Sequence, residues 1–209
     1  MPVLNRIASA RNRRDEVPNQ ELARDLARKK DRVGIREIAA HLWDKDKKIQ
    51  ADCIKVLYEI GYIDPALVAE YAQDYLKLLK SRNNRMVWGA MTALGTVAAL
   101  KPDVVFDHLA EIQKAMQTGS VITVDNAVQT LARAASAGRK YNEAIFPTLL
   151  THLKTCRPKD VPQHSEKTLS AVTAANKAAF ITVLEKRSAD LSGSGLARVK
   201  KVIKAAQAR

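Results

Sequence analysis

The sequence is poor in cysteine. Its 209 residues include only Cys53 and Cys156, which lie far apart in the chain. Small secreted domains usually carry several disulfides, and structural zinc sites commonly use closely paired cysteines. The cysteine content therefore argues against a disulfide framework and a zinc site, and it favours a reducing, cytoplasmic setting. We expect Cys53 to be a small, buried side chain.

The sequence also lacks long apolar runs and strand patterns. A membrane-spanning helix needs about 20 consecutive apolar residues, and no segment approaches that length, so we expect no membrane span. Aromatic residues make up only 5% of the chain, and β-branched character is concentrated in the short stretch from Ser120 to Val124. These features predict an all-α protein with a thin, extended core.

Motifs that carry catalysis are missing as well. The sequence contains no nucleophile elbow, no phosphate-binding loop and no HExxH metal motif. The four histidines, at positions 41, 108, 152 and 164, are scattered along the chain. We therefore predict a protein that is not an enzyme, with no catalytic residue, no metal ligand and no cofactor.

A repeat with an interval of 37 residues is the strongest pattern present. Within each copy the apolar positions are spaced 4, 3, 1 and 3 residues apart, which places them on one face of a helix. Pro65 and Pro102 share the interval, and so do the preceding helices. Two helices therefore repeat together, and stacking of neighbouring pairs is needed to bury their apolar faces. The equivalent positions are Ile49, Cys53, Val56, Leu57 and Ile60; Met86, Ala90, Ala93, Leu94 and Val97; and Thr123, Ala127, Thr130, Leu131 and Ala134.

The segment from Met86 to Gly95 resembles the second helix of a HEAT repeat, which reads roughly V-R-x-x-A-x-x-A-L-G. The sequence departs from that pattern where the family usually has arginine, at Gln50, Val87 and Val124. The resemblance covers residues 33–205. It implies a right-handed α-α superhelical solenoid of the armadillo type, with about four to five helix pairs, and it indicates little about activity.

The repeat divides the chain into a basic segment, 1–18, and a single helical-repeat domain, 19–209. We expect the segment 1–18 to be disordered; an organelle targeting signal is the alternative, against which Asp15 and Glu16 argue. Asn19 is expected to cap the first helix. The predicted parts of the domain are a capping helix at 19–30, repeats at 33–61, 66–98, 103–136 and 142–176, and a degenerate C-terminal pair at 178–208.

Positive charge is in excess and unevenly placed. The sequence has 35 Lys and Arg residues against 22 Asp and Glu residues, a formal net charge of +13. Many cations fall in the bends that join the first to the second helix of each pair, and these bends line up along one edge of a solenoid. The bend around Gly119 is the exception, and the last bend contributes Lys186 and Arg187. We call the following nine cations the basic edge: Lys45, Lys47, Lys48, Lys80, Arg82, Arg85, Lys154, Arg157 and Lys159.

These observations leave more than one function open. The first hypothesis is a scaffold that uses the basic edge or the concave face, with Trp88 as an aromatic contact, to bind an acidic protein segment. The alternative is a nucleic-acid-binding protein without sequence specificity. A weaker alternative is a DNA-alkylation-repair glycosylase, which the chain resembles only in fold class and charge, with Asp52 and Asp125 as candidates that nothing selects. Anionic lipid, or a role in solubility alone, would also account for the charge.

Overall fold

The computed structural model describes residues 2–209, and within them it contains helices, turns and bends but no strand. This confirms the all-α class. Short 3-10 turns connect several of the helices. The twelve α-helices of the described residues are α1 (Val17–Lys29), α2 (Arg32–Ala40), α3 (Lys47–Ile63), α4 (Ala72–Leu78), α5 (Asn84–Val97), α6 (Pro102–Asp107), α7 (Leu109–Thr118), α8 (Val121–Ala135), α9 (Arg139–Thr155), α10 (Val161–Thr168), α11 (Lys177–Ser188) and α12 (Gly193–Gln207).

The helices form two layers. Helices α1, α3, α5, α8, α10 and α12 pack one against the next and form the inner layer. Helices α2, α4, α6 with α7, α9 and α11 each precede an inner helix and form the outer layer. The helices of the five pairs run from Arg32 to Ile63, Ala72 to Val97, Pro102 to Ala135, Arg139 to Thr168 and Lys177 to Gln207, and α1 precedes the first pair. The fold is a solenoid in which each pair buries its apolar faces against its neighbours.

The repeated positions lie in the core. Leu57, Leu94 and Leu131 have no exposed surface, and the same holds for Cys53 and its two equivalents, Ala90 and Ala127. Each set occupies the same register on α3, α5 and α8. The 37-residue interval therefore marks the faces by which consecutive inner helices contact each other and the outer layer.

Side-chain caps fix the bends that lead into the inner helices. The side chain of Asp46 accepts a hydrogen bond from the backbone N–H of Lys48 at 2.7 Å, and Asn83 accepts one from Arg85 at 3.1 Å. Ser120 caps α8 in the same way. Capping satisfies backbone donors that the first turn of a helix leaves free. The N-termini of α3, α5 and α8 therefore begin at defined points along one edge of the solenoid, where the basic bends lie.

The N-terminal segment differs from the expectation of disorder. Residues Val3–Arg6 and Ser9–Arg11 form two 3-10 turns, and Ile7 between them is completely buried in the core. The Arg6 guanidinium lies 2.8 Å from the Asp25 carboxylate. The segment is anchored because Ile7 packs in the core and Arg6 pairs with Asp25 of α1. Met1 lies outside the described residues.

Asn19 is not a helix cap, because α1 begins two residues earlier, at Val17. Its buried side-chain oxygen accepts a hydrogen bond from the backbone N–H of Ala8 at 2.9 Å, and its amide nitrogen donates to Asp52 at 2.8 Å. The second oxygen of Asp52 accepts from the backbone N–H of Ser9 at 2.7 Å. These bonds tie the N-terminal turns to α3, so Asn19 and Asp52 have a structural role.

Helices α3 and α5 approach closely where Gly61 faces Thr96. A Cβ atom on Gly61 would overlap the Thr96 hydroxyl and lie 2.7 Å from the Thr96 Cβ. Rotating the threonine moves its hydroxyl but leaves its Cβ in place. A larger residue at Gly61 therefore requires the two helices to move apart.

We expect Gly61→Ala to lower the free energy of unfolding by about 1–3 kcal/mol, the usual cost of overpacking, even though alanine favours helices. Urea unfolding followed by circular dichroism measures the change. Gly195→Ala is the matched control, since a Cβ there meets only Pro162, at 3.5 Å. Equal stability of the two variants would contradict the close approach of α3 and α5.

Among the helices of residues 2–209, none combines the length and the apolar character needed to cross a lipid bilayer.

Candidate functional site

The basic edge contains cations in two different situations. Three of them form ion pairs with carboxylates, so their charge is partly neutralised: Lys80 with Glu111 at 3.2 Å, Arg85 with Glu16 at 3.2 Å, and Arg157 with Asp160 at 2.6 Å. The other six are exposed, and within residues 2–209 no carboxylate lies at salt-bridge distance from them. These six are Lys45, Lys47, Lys48, Arg82, Lys154 and Lys159.

The inner layer forms a second surface, which we call the inner groove, lined by α3, α5, α8 and α10. In its N-terminal half, Trp88 is half-buried against Tyr58, with ring centroids 6.3 Å apart. Lys55 is almost fully buried and lies 2.8 Å from Glu16 and 2.6 Å from Glu59. Here cations and carboxylates balance, and the aromatic rings pack on each other.

The C-terminal half of the inner groove contains a pocket of about 220 Å³ in which the cations are not balanced. Arg133 donates to the backbone carbonyl of Gly95 at 2.7 Å, and Lys167 donates to the backbone carbonyl of Asp125 at 2.8 Å. Neither is within salt-bridge distance of a carboxylate in the described part of the chain. We call this the Arg133–Lys167 pocket; its other lining residues are Tyr62, Thr92, Gly95, Asn126 and Gln129.

Lys167 lies in a partly buried site between charges of both signs. Burial lowers the pKa of Lys167, and the neighbouring Arg133 charge acts in the same direction, against the opposing effect of Asp125. Asn126, which donates to Thr92 at 2.7 Å, adds polar groups for an uncharged part of a ligand.

A larger cleft, of about 850 Å³, lies between the third and fourth helix pairs. It is lined by α7, α8, α9 and the bend before α10, next to the one bend that carries no cluster of cations. Gln113 of α7 donates to Thr148 of α9 at 2.7 Å across this region. Half-exposed Val121 lies at its rim.

Three side chains with metal-ligating atoms meet at the wall of the cleft. His164 lies between Asp125 and His152: its Nε2 is 2.6 Å from the Asp125 carboxylate, and its Nδ1 is 2.9 Å from Nε2 of His152. The potential ligand atoms of His152, Cys156 and His164 all lie within 4.8 Å of one another. Burial and the neighbouring His164 lower the pKa of His152 to about 4, and burial raises the pKa of the Cys156 thiol.

Sequence reasoning missed this cluster. His152 and Cys156 are four residues apart at the end of α9, and His164 lies in the first turn of α10, after the bend. The only local signal is the spacing between His152 and Cys156, which puts both on one side of a helix. The third member joins them only because α9 and α10 pack together.

The two aspartates considered for catalysis both form hydrogen bonds with other residues of the protein. The Asp52 carboxylate is 8% exposed and accepts hydrogen bonds on both oxygens. The Asp125 carboxylate contacts His164 and accepts a hydrogen bond from Gln163 at 3.3 Å. Neither offers a carboxylate without partners to the inner groove.

No protein-family model and no curated protein match the sequence, whereas solved structures match nearly the whole chain. An engineered protein aligns with a TM-score of 0.68 and 18% identity, over 100% of this chain and 98% of its own. A designed armadillo repeat protein in complex with the peptide (KR)4 aligns with a TM-score of 0.70 and 13% identity, over 90% of this chain and 85% of its own. Kap121p bound to Pho4p gives 0.63 and 16%, over 95% of this chain but only 22% of its own. These matches confirm an armadillo/HEAT-type helical-repeat fold.

Proposed function

We propose that the protein is a non-enzymatic binding scaffold whose inner groove holds an acidic protein segment. The observation that carries the proposal is the Arg133–Lys167 pocket. Its two cations are bonded only to backbone carbonyls, whereas Lys55 in the other half of the groove already has carboxylate partners. A carboxylate entering the pocket gains charge-assisted hydrogen bonds that no group of the described chain supplies.

The dimensions of the inner groove suit an extended segment. Neighbouring helices pack about 8–10 Å apart, and an extended chain advances about 3.3 Å per residue, so roughly three residues span one helix. Asn126 and Gln129 supply amides for the backbone of the segment, and Tyr62 supplies an apolar wall. One acidic side chain in the pocket would then fix the register.

Two complexes among the structural matches support this kind of use. A designed armadillo repeat protein is in complex with the basic peptide (KR)4, and Kap121p is bound to Pho4p. In our chain the pocket has the opposite charge from a surface that would take a basic peptide. We therefore assign the preference to acidic segments.

The pocket predicts which substitutions weaken binding. A fluorescent octapeptide of alternating Glu and Asp should bind the wild type more tightly than (KR)4 does. The double variant Arg133→Gln/Lys167→Gln should weaken the acidic peptide about tenfold or more, since one lost charge-assisted hydrogen bond is worth about 1.5–3 kcal/mol. Fluorescence anisotropy at constant ionic strength measures both affinities.

The matched control is Lys200→Gln/Lys201→Gln, which removes the same charge from exposed residues of α12. We expect this variant to bind the acidic peptide almost as well as the wild type does. Equal weakening in the two double variants would mean that only net charge matters. Tighter binding of (KR)4 would exclude the acidic segment altogether.

A second candidate, binding of nucleic acid without sequence preference, is favoured by the six unpaired cations of the basic edge. The same assay with labelled DNA over a salt series separates the candidates, because release of counterions makes phosphate binding fall steeply with salt. Lys45, Lys47 and Lys48 are the cations to replace by Gln, since Lys80 and Arg85 are already paired. If these changes weaken DNA binding and the acidic peptide does not bind, the nucleic-acid function is favoured.

The geometry gives the glycosylase hypothesis no support, since the carboxylates of Asp52 and Asp125 are both occupied by hydrogen bonds within the protein.

A further inference from the structure

We propose that His152, Cys156 and His164 form a binding site for a single Zn²⁺-type transition-metal ion at the wall of the 850 Å³ cleft. The site is separate from the inner groove proposed for protein binding, and it does not depend on that function. Each of its three side chains lines the cleft.

The distances fit a tetrahedral ion after a small adjustment. With Zn–N bonds of about 2.0–2.1 Å, two histidine nitrogens on one tetrahedral ion lie about 3.3 Å apart. The corresponding nitrogens of His152 and His164 are 2.9 Å apart, and the Cys156 sulfur is within 4.8 Å of both. The rings need to separate by about 0.4 Å for an ion to replace the proton that they share.

The surroundings orient the ligands. Asp125 accepts a hydrogen bond from Nε2 of His164 at 2.6 Å, which leaves the Nδ1 lone pair of His164 directed at the cluster. A carboxylate that holds the far nitrogen of a ligating histidine is the usual second partner in zinc sites. Arg187 donates to the backbone carbonyl of Cys156 at 2.7 Å and fixes the end of α9 that carries the sulfur.

The donor set selects the class of metal. Two imidazoles and one thiolate suit Zn²⁺ and related ions, whereas Mg²⁺ and Ca²⁺ prefer oxygen ligands. Binding forms two metal–nitrogen bonds and one metal–sulfur bond. The thiol proton of Cys156 passes to solvent, and the shared proton moves to Nδ1 of His152, so one proton is released per ion. The fourth position of the tetrahedron faces the cleft, where water or a ligand donor completes the coordination.

Co²⁺ is the direct probe, because its spectrum reports both geometry and sulfur ligation. We expect the metal-free, full-length protein, kept reduced without added thiols, to bind one Co²⁺. The expected spectrum has the intense visible bands of a tetrahedral ion and a near-ultraviolet band from thiolate to metal, and Zn²⁺ should abolish both by displacement.

The two cysteines provide a matched pair of variants. Cys156→Ser should lose the thiolate band, and His152→Gln should weaken Co²⁺ binding at least about tenfold, the usual minimum even for an outer-shell partner. Cys53→Ala should bind as the wild type does, because Cys53 is fully buried in the core and the equivalent positions hold Ala90 and Ala127. Circular dichroism checks that each variant is folded.

Thermal unfolding gives a second readout that does not depend on the spectrum. Zn²⁺ should raise the melting temperature of the wild type and of Cys53→Ala, and it should have no such effect on Cys156→Ser. The proposal is overturned by a weak, octahedral-type Co²⁺ spectrum. The proposal is also overturned if Cys156→Ser keeps the thiolate band, or if Zn²⁺ still raises the melting temperature of that variant.

Discussion

Leu94→Ala should lower the free energy of unfolding by about 2–5 kcal/mol, the range for removing a buried leucine side chain and leaving a cavity. Leu94 has no exposed surface and lies on α5, the third of the six inner helices. Helices α3 and α8 pack on either side of α5, so they cannot both move in to fill the space. The loss of unfolding free energy in Leu94→Ala should therefore lie within the usual range for a buried leucine, and not below it.

Leu100→Ala is the control for this prediction. Leu100 follows α5 and is 51% exposed, so truncating it leaves no closed cavity. Urea unfolding of both variants should separate them by at least about 2 kcal/mol. Similar stabilities would show that the repeated leucine column is not the core of the solenoid.

Arg187→Ala should lower the free energy of unfolding by about 2–4 kcal/mol, since a hydrogen bond from a charged group contributes about 1.5–3 kcal/mol. The Arg187 guanidinium donates to the backbone carbonyls of Leu153, Lys154 and Cys156 at 2.7–2.8 Å. Its side chain is only 12% exposed. It therefore caps the C-terminal end of α9 from α11, where the helix leaves carbonyls without partners.

Arg139→Ala serves as the comparison for Arg187→Ala. Arg139 pairs with Glu143 one turn along α9, but its side chain is 91% exposed, and exposed pairs contribute little. Thermal unfolding of the two variants should show a large decrease in melting temperature for Arg187→Ala and almost none for Arg139→Ala. Equal effects would mean that the buried guanidinium does not hold the fourth and fifth helix pairs together.

The parts of the fold that sequence reasoning found are those that repeat locally. The apolar positions around Leu57, Leu94 and Leu131 follow the 3.6-residue period of a helix, and the same pattern recurs in consecutive units. The caps at Asp46 and Asn83 likewise join residues that are close together in the chain. A repeat makes long-range packing visible, because the partner of each helix has the same sequence pattern.

The parts that sequence reasoning missed depend on single contacts between distant residues. The N-terminal segment is ordered because Ala8 and Ser9 bond to Asn19 and Asp52. These contacts occur once in the chain, so no periodicity marks them. The same reason explains why the sequence assigned Arg187 to a basic bend without revealing that its guanidinium is bonded to the end of α9.

In the candidate sites, too, some features could be predicted from the sequence and others depend on contacts between distant residues. Net charge was readable from composition and its place in the bends from the order of residues, and all nine cations of the basic edge are exposed. Which cations lack a carboxylate partner was not readable, since Arg85 meets Glu16 across 69 residues. The Arg133–Lys167 pocket exists because α8 and α10 pack side by side, which no local pattern in the sequence marks.

Charge reversal in the inner groove tests the central claim most directly. In Arg133→Glu/Lys167→Glu the pocket carries two carboxylates in place of two cations, so the preference measured by fluorescence anisotropy should change from the acidic octapeptide to (KR)4. The wild type should prefer the acidic peptide under the same conditions. An unchanged preference in the reversed variant, with its fold intact by circular dichroism, would contradict the assignment of the groove as the binding surface.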